Sequence, residues 1–297
     1  MLPTLRQLQY LTLLARHGSF SKAAQAAHVS QPTLSSGIQE LERVLGGAVV
    51  DRARSGVVLT AVGEAAAGRA AELLAAAEDL VQAAQAAGRP LCGRFRLGVI
   101  PTVAPFLLPR ALPALRARFP GLRLFLREEQ TARLGAALRS GELDAALIAL
   151  PADTAGLQTA PVGDDALVAA VPADHPLTGR EVVDADDMAD EELILLEDGH
   201  CLRDHALAAC RVEGRASGHE TAFAATSLAT LVQMVGAGLG VTLLPAMAAQ
   251  AGLAERAEVV TRPLADAGAR REIVVAWRAG SSRGVEARLL AETLREA

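Results

Sequence analysis

The sequence predicts an α/β protein in three parts: a mainly helical winged helix-turn-helix, a long linker helix, and a two-lobed α/β domain. Three observations carry this expectation. Apolar residues recur at helical spacing, with capping residues between them, through residues 5–45. A proline-free, alanine-rich stretch follows over residues 60–87. From Gly93 onward strands and helices alternate.

The chain has 297 residues, enough for two domains and an ample core. It is 51% hydrophobic but only 3% aromatic, with alanine filling much of the apolar share. The net charge of −5 gives no sign of general nucleic-acid affinity, but the charge is uneven: a mildly basic amino end precedes an acidic body. That asymmetry fits a small nucleic-acid-binding module on a larger domain. No apolar run reaches about 18 residues, so no membrane span is expected. The first residues lack the apolar core and small-residue cleavage site of a signal peptide. A cytoplasmic location is therefore expected, where thiols stay reduced and a close cysteine pair points to chemistry or sensing.

Leu5, Leu8, Leu11 and Leu14 define a first helix that His17-Gly18 ends. Ser19 caps a second, alanine-containing helix over Ser21–Ala27. Ser30 caps a third, with Pro32 in its first turn and Leu34, Ile38, Leu41 and Leu45 along one face, and Gly46-Gly47 stops it. Val49–Thr60 alternates as a hairpin with Arg52 and Arg54 near its tip. Three helices with a short second link and a hairpin describe a winged helix-turn-helix, whose third helix enters the DNA major groove amino end first. Ser30, Gln31, Pro32, Thr33, Ser35 and Ser36 lie at that end, and their polar groups suit bases or phosphates. Arg52 and Arg54 suit backbone phosphate or an adjacent minor groove. Small residues at helical spacing along 60–87 permit close helix–helix contact, so this segment reads as a connecting helix that pairs with a second copy. Gly88-Arg89-Pro90 ends it.

Beyond Gly93, strands are expected at Phe95–Ile100, Leu122–Glu128, Leu143–Leu150, Ala166–Val171, Leu193–Leu196, Val241–Leu244 and Glu272–Trp277. Helices are expected at Val103–Phe119 and Thr131–Ser140, from Cys201, at Ser227–Ala237 and from Gly284. Such alternation implies parallel sheets covered on both faces, and the return of the chain at its end suggests two lobes around a cleft. Thr102 and Thr131 each follow a strand at its carboxyl end, where open α/β sheets gather ligand-binding groups.

Chemistry concentrates at Gly199-His200-Cys201-Leu202-Arg203-Asp204, with Cys210 nine residues after Cys201. The only other cysteine is Cys92, which reads as incidental. A preceding histidine, a following arginine and a helix start all favour the thiolate at Cys201. A thiolate with a second thiol in reach is the chemistry of a redox switch. If Cys201 to Cys210 is one helix, their Cα atoms stand about 13.5 Å apart, whereas a disulfide needs roughly 4.4–6.8 Å. Pairing would then require the segment to unwind, and Gly199, Gly214 and Gly218 would ease it.

Gln9-Tyr10, Ser19-Phe20-Ser21-Lys22-Ala23-Ala24, Val29-Ser30-Gln31-Pro32-Thr33-Leu34-Ser35, Leu41-Glu42, Leu45-Gly46 and Leu59-Thr60-Ala61-Val62-Gly63 resemble the DNA-binding domain of LysR-type transcriptional regulators. There are two departures. Val49-Val50 replace the family's usual Leu-Phe, and Gly37 replaces a common glutamine, at a cost of about 1 kcal/mol relative to alanine and with the loss of a base contact. The resemblance implies a DNA-binding domain over 1–60, a dimerising linker helix over 61–89, and a regulatory domain of periplasmic-binding-protein type over 90–297. Its lobe I would take about 90–163 plus 269–297, and its lobe II about 164–268. The stretch Leu195–Asp204 with Cys210, together with Ile100–Val103, Gln130-Thr131, Ala225–Leu228, Gly240–Pro245 and Arg270-Arg271, is similar to a hydrogen-peroxide-sensing branch of that family. That similarity implies Cys201 as the peroxide-reacting cysteine and Cys210 as its disulfide partner. It places Thr102, Thr131, His200 and Arg271 around the peroxide, with Arg270 a rival for the last role. It further implies double-stranded DNA, RNA polymerase and a second copy of the chain (dimer, then tetramer) as partners, with antioxidant genes as targets and no cofactor. Three alternatives stand beside it: a small organic ligand in the interlobe cleft with inert cysteines, a thiol peroxidase or hydrolase using His200, Cys201 and Asp198, and a metal site from His200, Cys201, His205 and Cys210, whose spacing matches no familiar zinc pattern.

Overall fold

The computed structural model describes residues 2–51, 57–85, 90–210 and 224–296. The chain divides into two compact units: Met1–Gly88 with Ala137–Glu142 and Gly280–Ser282, and the remainder.

The first unit contains α1 (Leu5–His17), α2 (Phe20–Ala26), α3 (Gln31–Leu45), the two-stranded antiparallel pair β1 (Val50–Asp51) and β2 (Val58–Leu59), and α4 (Ala61–Gln85). The capping residues do what the sequence suggests. Thr4 and Gln7 form a capping box, Ser19 accepts from the Lys22 amide and Ser30 from the Thr33 amide. Each serine or threonine cap is worth about 1 kcal/mol. Gly18 and Gly46 end α1 and α3 in the left-handed conformation that glycine adopts without strain. Leu8, Leu11, Leu14, Ala23, Ala24, Leu34, Ile38 and Leu41 form the buried core under Val49 and Val50. The hairpin tip bearing Arg52 and Arg54 lies outside the described residues.

Gly37 has a different meaning from the one its sequence position suggests. A Cβ built there would stand 2.6 Å from Cδ2 and 2.8 Å from Cε2 of Tyr10. The position therefore faces α1, not the outer surface of α3. Gly37 lets two helices approach over a buried tyrosine ring, so its lack of a side chain is a packing requirement before it is a lost base contact.

The second unit begins with β3 (Gly93–Val99), α5 (Ala104–Arg118), β4 (Leu122–Glu128), α6 (Thr131–Arg139), β5 (Ala145–Leu150) and β6 (Leu157–Pro172). It continues with α7 (Ala185–Ala189), β7 (Leu195–Leu196), α8 (Cys201–Ala209), β8 (Ala224–Ala225), α9 (Leu228–Gly236), β9 (Thr242–Pro245) and α10 (Ala246–Gln250). It closes with β10 (Val259–Pro263), β11 (Arg270–Arg278) and α11 (Gly284–Arg295). The strand order is β10-β6-β11-β5-β3-β4, with β9 also on β6.

The expectation of parallel sheets needs correction. Among the described residues β4-β3-β5 and the short β7-β8 pair run parallel, as do the isolated bridges Leu193–Val241 and Val183–Leu264, whereas β5-β11, β11-β6, β6-β10 and β6-β9 are antiparallel. The reason is β6, a 16-residue strand that serves both lobes. Its first half pairs with the returning β11, and its second half pairs with β9 and β10. Polar residues around Gly163-Asp164-Asp165 interrupt the apolar pattern of β6, so the sequence marks only its last third as strand. Around the second half of β6 packs a core that includes Leu195 and Leu196 of β7, Leu202 and Ala206 of α8, Cys210, and Leu231, Val232 and Val235 of α9.

Gly37→Ala should lower the stability of the helical head by about 1 kcal/mol, because overpacking outweighs the gain in helix propensity. In a Tyr10→Ala background the same change should be stabilising. Hydrogen exchange of α3 under denaturant measures both, and stabilisation in the wild-type background would exclude the contact.

Candidate functional site

The carboxyl ends of the three parallel strands converge on one region. Thr102 follows β3, Gln130 and Thr131 follow β4, and Pro151 follows β5. Helix α8 brings Cys201 and His205 from the second lobe.

Arg271 is the centre of the cluster. Its side chain is fully buried, and its partners are specific. Nε and Nη2 donate to Asp165 Oδ2 at 3.0 and 2.9 Å, Nη1 donates to Thr102 Oγ1 at 2.7 Å, and Nη2 donates to the Thr102 carbonyl at 3.0 Å. The other oxygen of Asp165 accepts from the Met247 amide at 3.1 Å, at the start of α10. One guanidinium thus ties together β11, β6 and the turn after β3. Strand alternation places Arg270 and Arg271 on opposite faces of β11. Arg271 stands opposite Asp165 and is buried, whereas Arg270 is exposed and pairs with Asp164 at 3.5 Å. Asp165 is the member that sequence reading missed; Asp164-Asp165 looks like a pair of surface charges until the register is known.

Thr102 is buried at 2% exposure and is not a helix cap, since Val103 occupies the cap position of α5. Thr131 is the first residue of α6, and its buried hydroxyl has no hydrogen-bond partner among the described residues. Beside it, Gln130 Nε2 donates to the Asp198 carbonyl at 3.4 Å, joining the β4–α6 turn to the turn that precedes Cys201. In that turn Gly199 has φ +93°, and a Cβ there would meet the Gln130 side chain at 2.7–3.0 Å. Gly199 is therefore required by its backbone conformation, while the flexible end of Gln130 packs against it. Gly214 and Gly218 lie outside the described residues.

Cys201 is partly exposed and is the first residue of α8. His200 is the buried amino-cap residue, with Nε2 4.0 Å from Glu197 Oε1. Arg203 turns back, donating to the Leu196 carbonyl at 3.2 Å and pairing with Asp198 at 3.1 Å. These contacts fix the turn around Cys201 and the amino end of its helix. Cys210 caps the other end, fully buried among Leu202, Ala206 and their neighbours. Burial alone raises its pKa to about 11, so at neutral pH it is an unreactive thiol. Both thiols are free. Among the described residues no group of histidine, cysteine and carboxylate side chains could hold a metal ion.

The other candidate surface is the amino end of α3. Gln31, Pro32, Thr33 and Ser36 are exposed and Ser35 is partly buried. Two of these side chains are already engaged locally. Ser30 Oγ accepts from the Thr33 amide at 3.3 Å and lies 2.7 Å from Thr33 Oγ1, and Ser21 Oγ donates to Gln31 Oε1 at 2.8 Å. Ser30 is thus first a cap. Gln31 keeps its NH2 as a donor.

Comparison with known proteins fits this anatomy. Residues 5–64 match the family model described as bacterial regulatory helix-turn-helix protein, lysR family, and residues 88–297 match LysR substrate binding domain. A probable hydrogen peroxide-inducible genes activator from Streptomyces viridosporus is 42% identical over 295 residues, covering 99% of this chain and 94% of that protein. A cysteine variant of full-length OxyR from Pseudomonas aeruginosa superposes with a TM-score of 0.79 at 37% identity, covering 99% and 98% of the two chains. A hydrogen-peroxide-bound cysteine mutant of OxyR from Corynebacterium glutamicum has a TM-score of 0.68 at 34% identity, covering 100% and 92%. With both of its parts matched and its whole length shared with such relatives, the chain belongs to the LysR family of bacterial helix-turn-helix transcriptional regulators.

Proposed function

We propose that this regulator senses hydrogen peroxide at Cys201, responds by forming a Cys201–Cys210 disulfide, and thereby alters its contact with the promoters of antioxidant genes. The observation that carries the reading is the placement of two free thiols at opposite ends of α8, one partly exposed and one buried. The names of the similar proteins supply the oxidant.

The chemistry balances in two steps. The Cys201 thiolate attacks one peroxide oxygen, the O–O bond breaks, and the leaving hydroxide takes a proton to become water. Cys201 becomes a sulfenic acid. The Cys210 sulfur then attacks the Cys201 sulfur, expelling the hydroxyl as a second water. Thr102, Thr131, His200 and Arg271 are the proposed peroxide-side residues. Thr131 supports this with a hydroxyl free to donate and accept, and Thr102 with a hydroxyl whose acceptor side is held by Arg271.

The second step cannot occur in the helix as it stands. Nine residues of helical rise separate the two Cα atoms by about 13.5 Å, against the roughly 4.4–6.8 Å between Cα atoms that a disulfide allows. The carboxyl end of α8 must unwind and withdraw Cys210 from its core, so oxidation is coupled to refolding of the second lobe. On this reading peroxide reduction is a single signalling event, not a turnover reaction.

The proposed DNA contacts are Gln31, Pro32, Thr33, Ser35 and Ser36, with Ser30 acting as the cap that presents them. Arg52 and Arg54 are proposed as phosphate contacts. Helix α4 exposes Val62, Leu73, Leu80 and Val81, which supports dimerisation along it, with tetramer formation through the regulatory domains. The protein would act in the cytoplasm, on double-stranded DNA and together with RNA polymerase.

Peroxide treatment followed by non-reducing peptide mapping should recover a Cys201–Cys210 disulfide; Cys201 oxidised with Cys210 still free would leave a sulfenate sensor in its place. Thr102→Val should slow Cys201 oxidation at least tenfold and destabilise the regulatory domain by about 1–3 kcal/mol, because a buried guanidinium donor loses its acceptor. Quench-flow mass spectrometry and chemical denaturation measure the two effects, and an unchanged rate would remove Thr102 from the site. Light scattering at micromolar concentration should show a dimer or tetramer, and a monomer would contradict the role given to α4.

A further inference from the structure

Helix α8 carries a buried histidine one turn after Cys201. His205 lies one turn after Cys201, at the i+4 spacing where Cβ atoms stand about 5–6 Å apart. The groups that act on the ring are Arg271, the Pro151 carbonyl and Asp204. The imidazole is buried at 8% exposure, and neither nitrogen has a hydrogen-bond partner among the described residues. The Pro151 carbonyl lies close enough to favour a proton on the ring, but it does not close a hydrogen bond of good geometry. Buried polar atoms are nearly always paired. A buried ring with both nitrogens unpaired, one helical turn from Cys201, is available to a polar reactant.

The groups around it set its protonation. Arg271 faces it from β11, itself paired with Asp165 of β6; Asp204 and Cys201 share its helix, and the Pro151 carbonyl approaches from the end of β5. Burial, then Arg271, hold its pKa below the ordinary 6.5, against the smaller opposing pull of Pro151 and Asp204. The ring is neutral at pH 7, with one nitrogen lone pair and one N–H.

We propose that His205 carries the proton in the reaction of Cys201 with peroxide, an inference that rests on Cys201 being the peroxide-reactive residue. The neutral ring takes the Cys201 thiol proton, and the thiolate so formed attacks the nearer peroxide oxygen. The O–O bond breaks, and the imidazolium returns that proton to the departing hydroxide as water. Cys201 is left as sulfenic acid and His205 neutral. Burial and Arg271 disfavour the imidazolium, so the return of the proton runs downhill.

The test is the rate of Cys201 oxidation by hydrogen peroxide in the full chain, followed by rapid quench and mass spectrometry between pH 5 and 8. In the wild-type protein the rate should fall as pH drops below 6.5 and the ring charges. The midpoint of that fall should coincide with the His205 titration followed by ¹⁵N NMR. His205→Gln, which keeps a donor and an acceptor but cannot titrate, should be at least tenfold slower at pH 7.5 and should lack the acid fall. His205→Asn serves as a second variant, and thermal unfolding checks that both fold. A variant within twofold of wild type with the same pH profile would overturn the proposal, as would a wild-type fall whose midpoint departs from the His205 titration. Failure of peroxide to oxidise Cys201 in the wild-type protein would instead defeat the sensing reading itself.

Discussion

The buried Arg271–Asp165 pair is the interaction on which the regulatory domain depends. Asp165 lies in the strand shared by both lobes, Arg271 in the strand that returns to it, and Thr102 in the turn that closes β3. Taking two charges out of water is costly, and the pair repays that cost only because each remaining polar atom is matched. Thr102 and the Met247 amide supply those matches. Losing one partner from such a pair typically costs about 3–5 kcal/mol, since the survivor stays buried and charged. The same contacts fix the position of the Thr102 hydroxyl. Stability of the β6–β11 crossing and the position of the Thr102 hydroxyl therefore rest on one set of hydrogen bonds.

Helix α8 is built to hold two cysteines in opposite conditions. Cys201 sits at the start of the helix, beside His200 and the Arg203 contacts to Leu196 and Asp198. Cys210 sits at the end, where the core itself keeps it protonated. Exposure and burial of the two thiols come from position on one element. The buried thiol meets solvent only in a locally opened state, whose population is set by the free energy of opening that last turn.

Much of this was legible in the sequence because it depends on neighbours along the chain. Ser19, Ser30, Gly18 and Gly46 mark helix ends by local hydrogen bonding and backbone conformation. Cys201 and Cys210 fall on one helix because their spacing and flanking residues say so. What was not legible depends on register and on contacts far apart in sequence. Asp165 acquires its role only when β6 pairs with β11. Gly37 reads as a missing base contact until Tyr10 is seen against it. His205 is one more polar residue in an alanine-rich helix until β5 and β11 bury it. The first half of β6 was hidden by polar residues that serve the site at the expense of the strand pattern.

The junction between the wing and α4 has a mechanical consequence. Thr60 Oγ1 donates to the Ala48 carbonyl at 2.7 Å and accepts from the Gly63 amide at 3.0 Å, while a Cβ at Gly63 would stand 2.0 Å from the Val49 carbonyl oxygen. Glu42 of α3 accepts from the Val49 amide at 3.0 Å. Recognition helix, wing and linker are thus clamped at a joint too tight for a methyl group. A stiff rod of 25 residues, about 37 Å long, leaves that joint without a hinge. Torque applied to the rod would turn the DNA-reading surface with it, so the binding geometry is set by the angle of the shaft, with no play at the coupling.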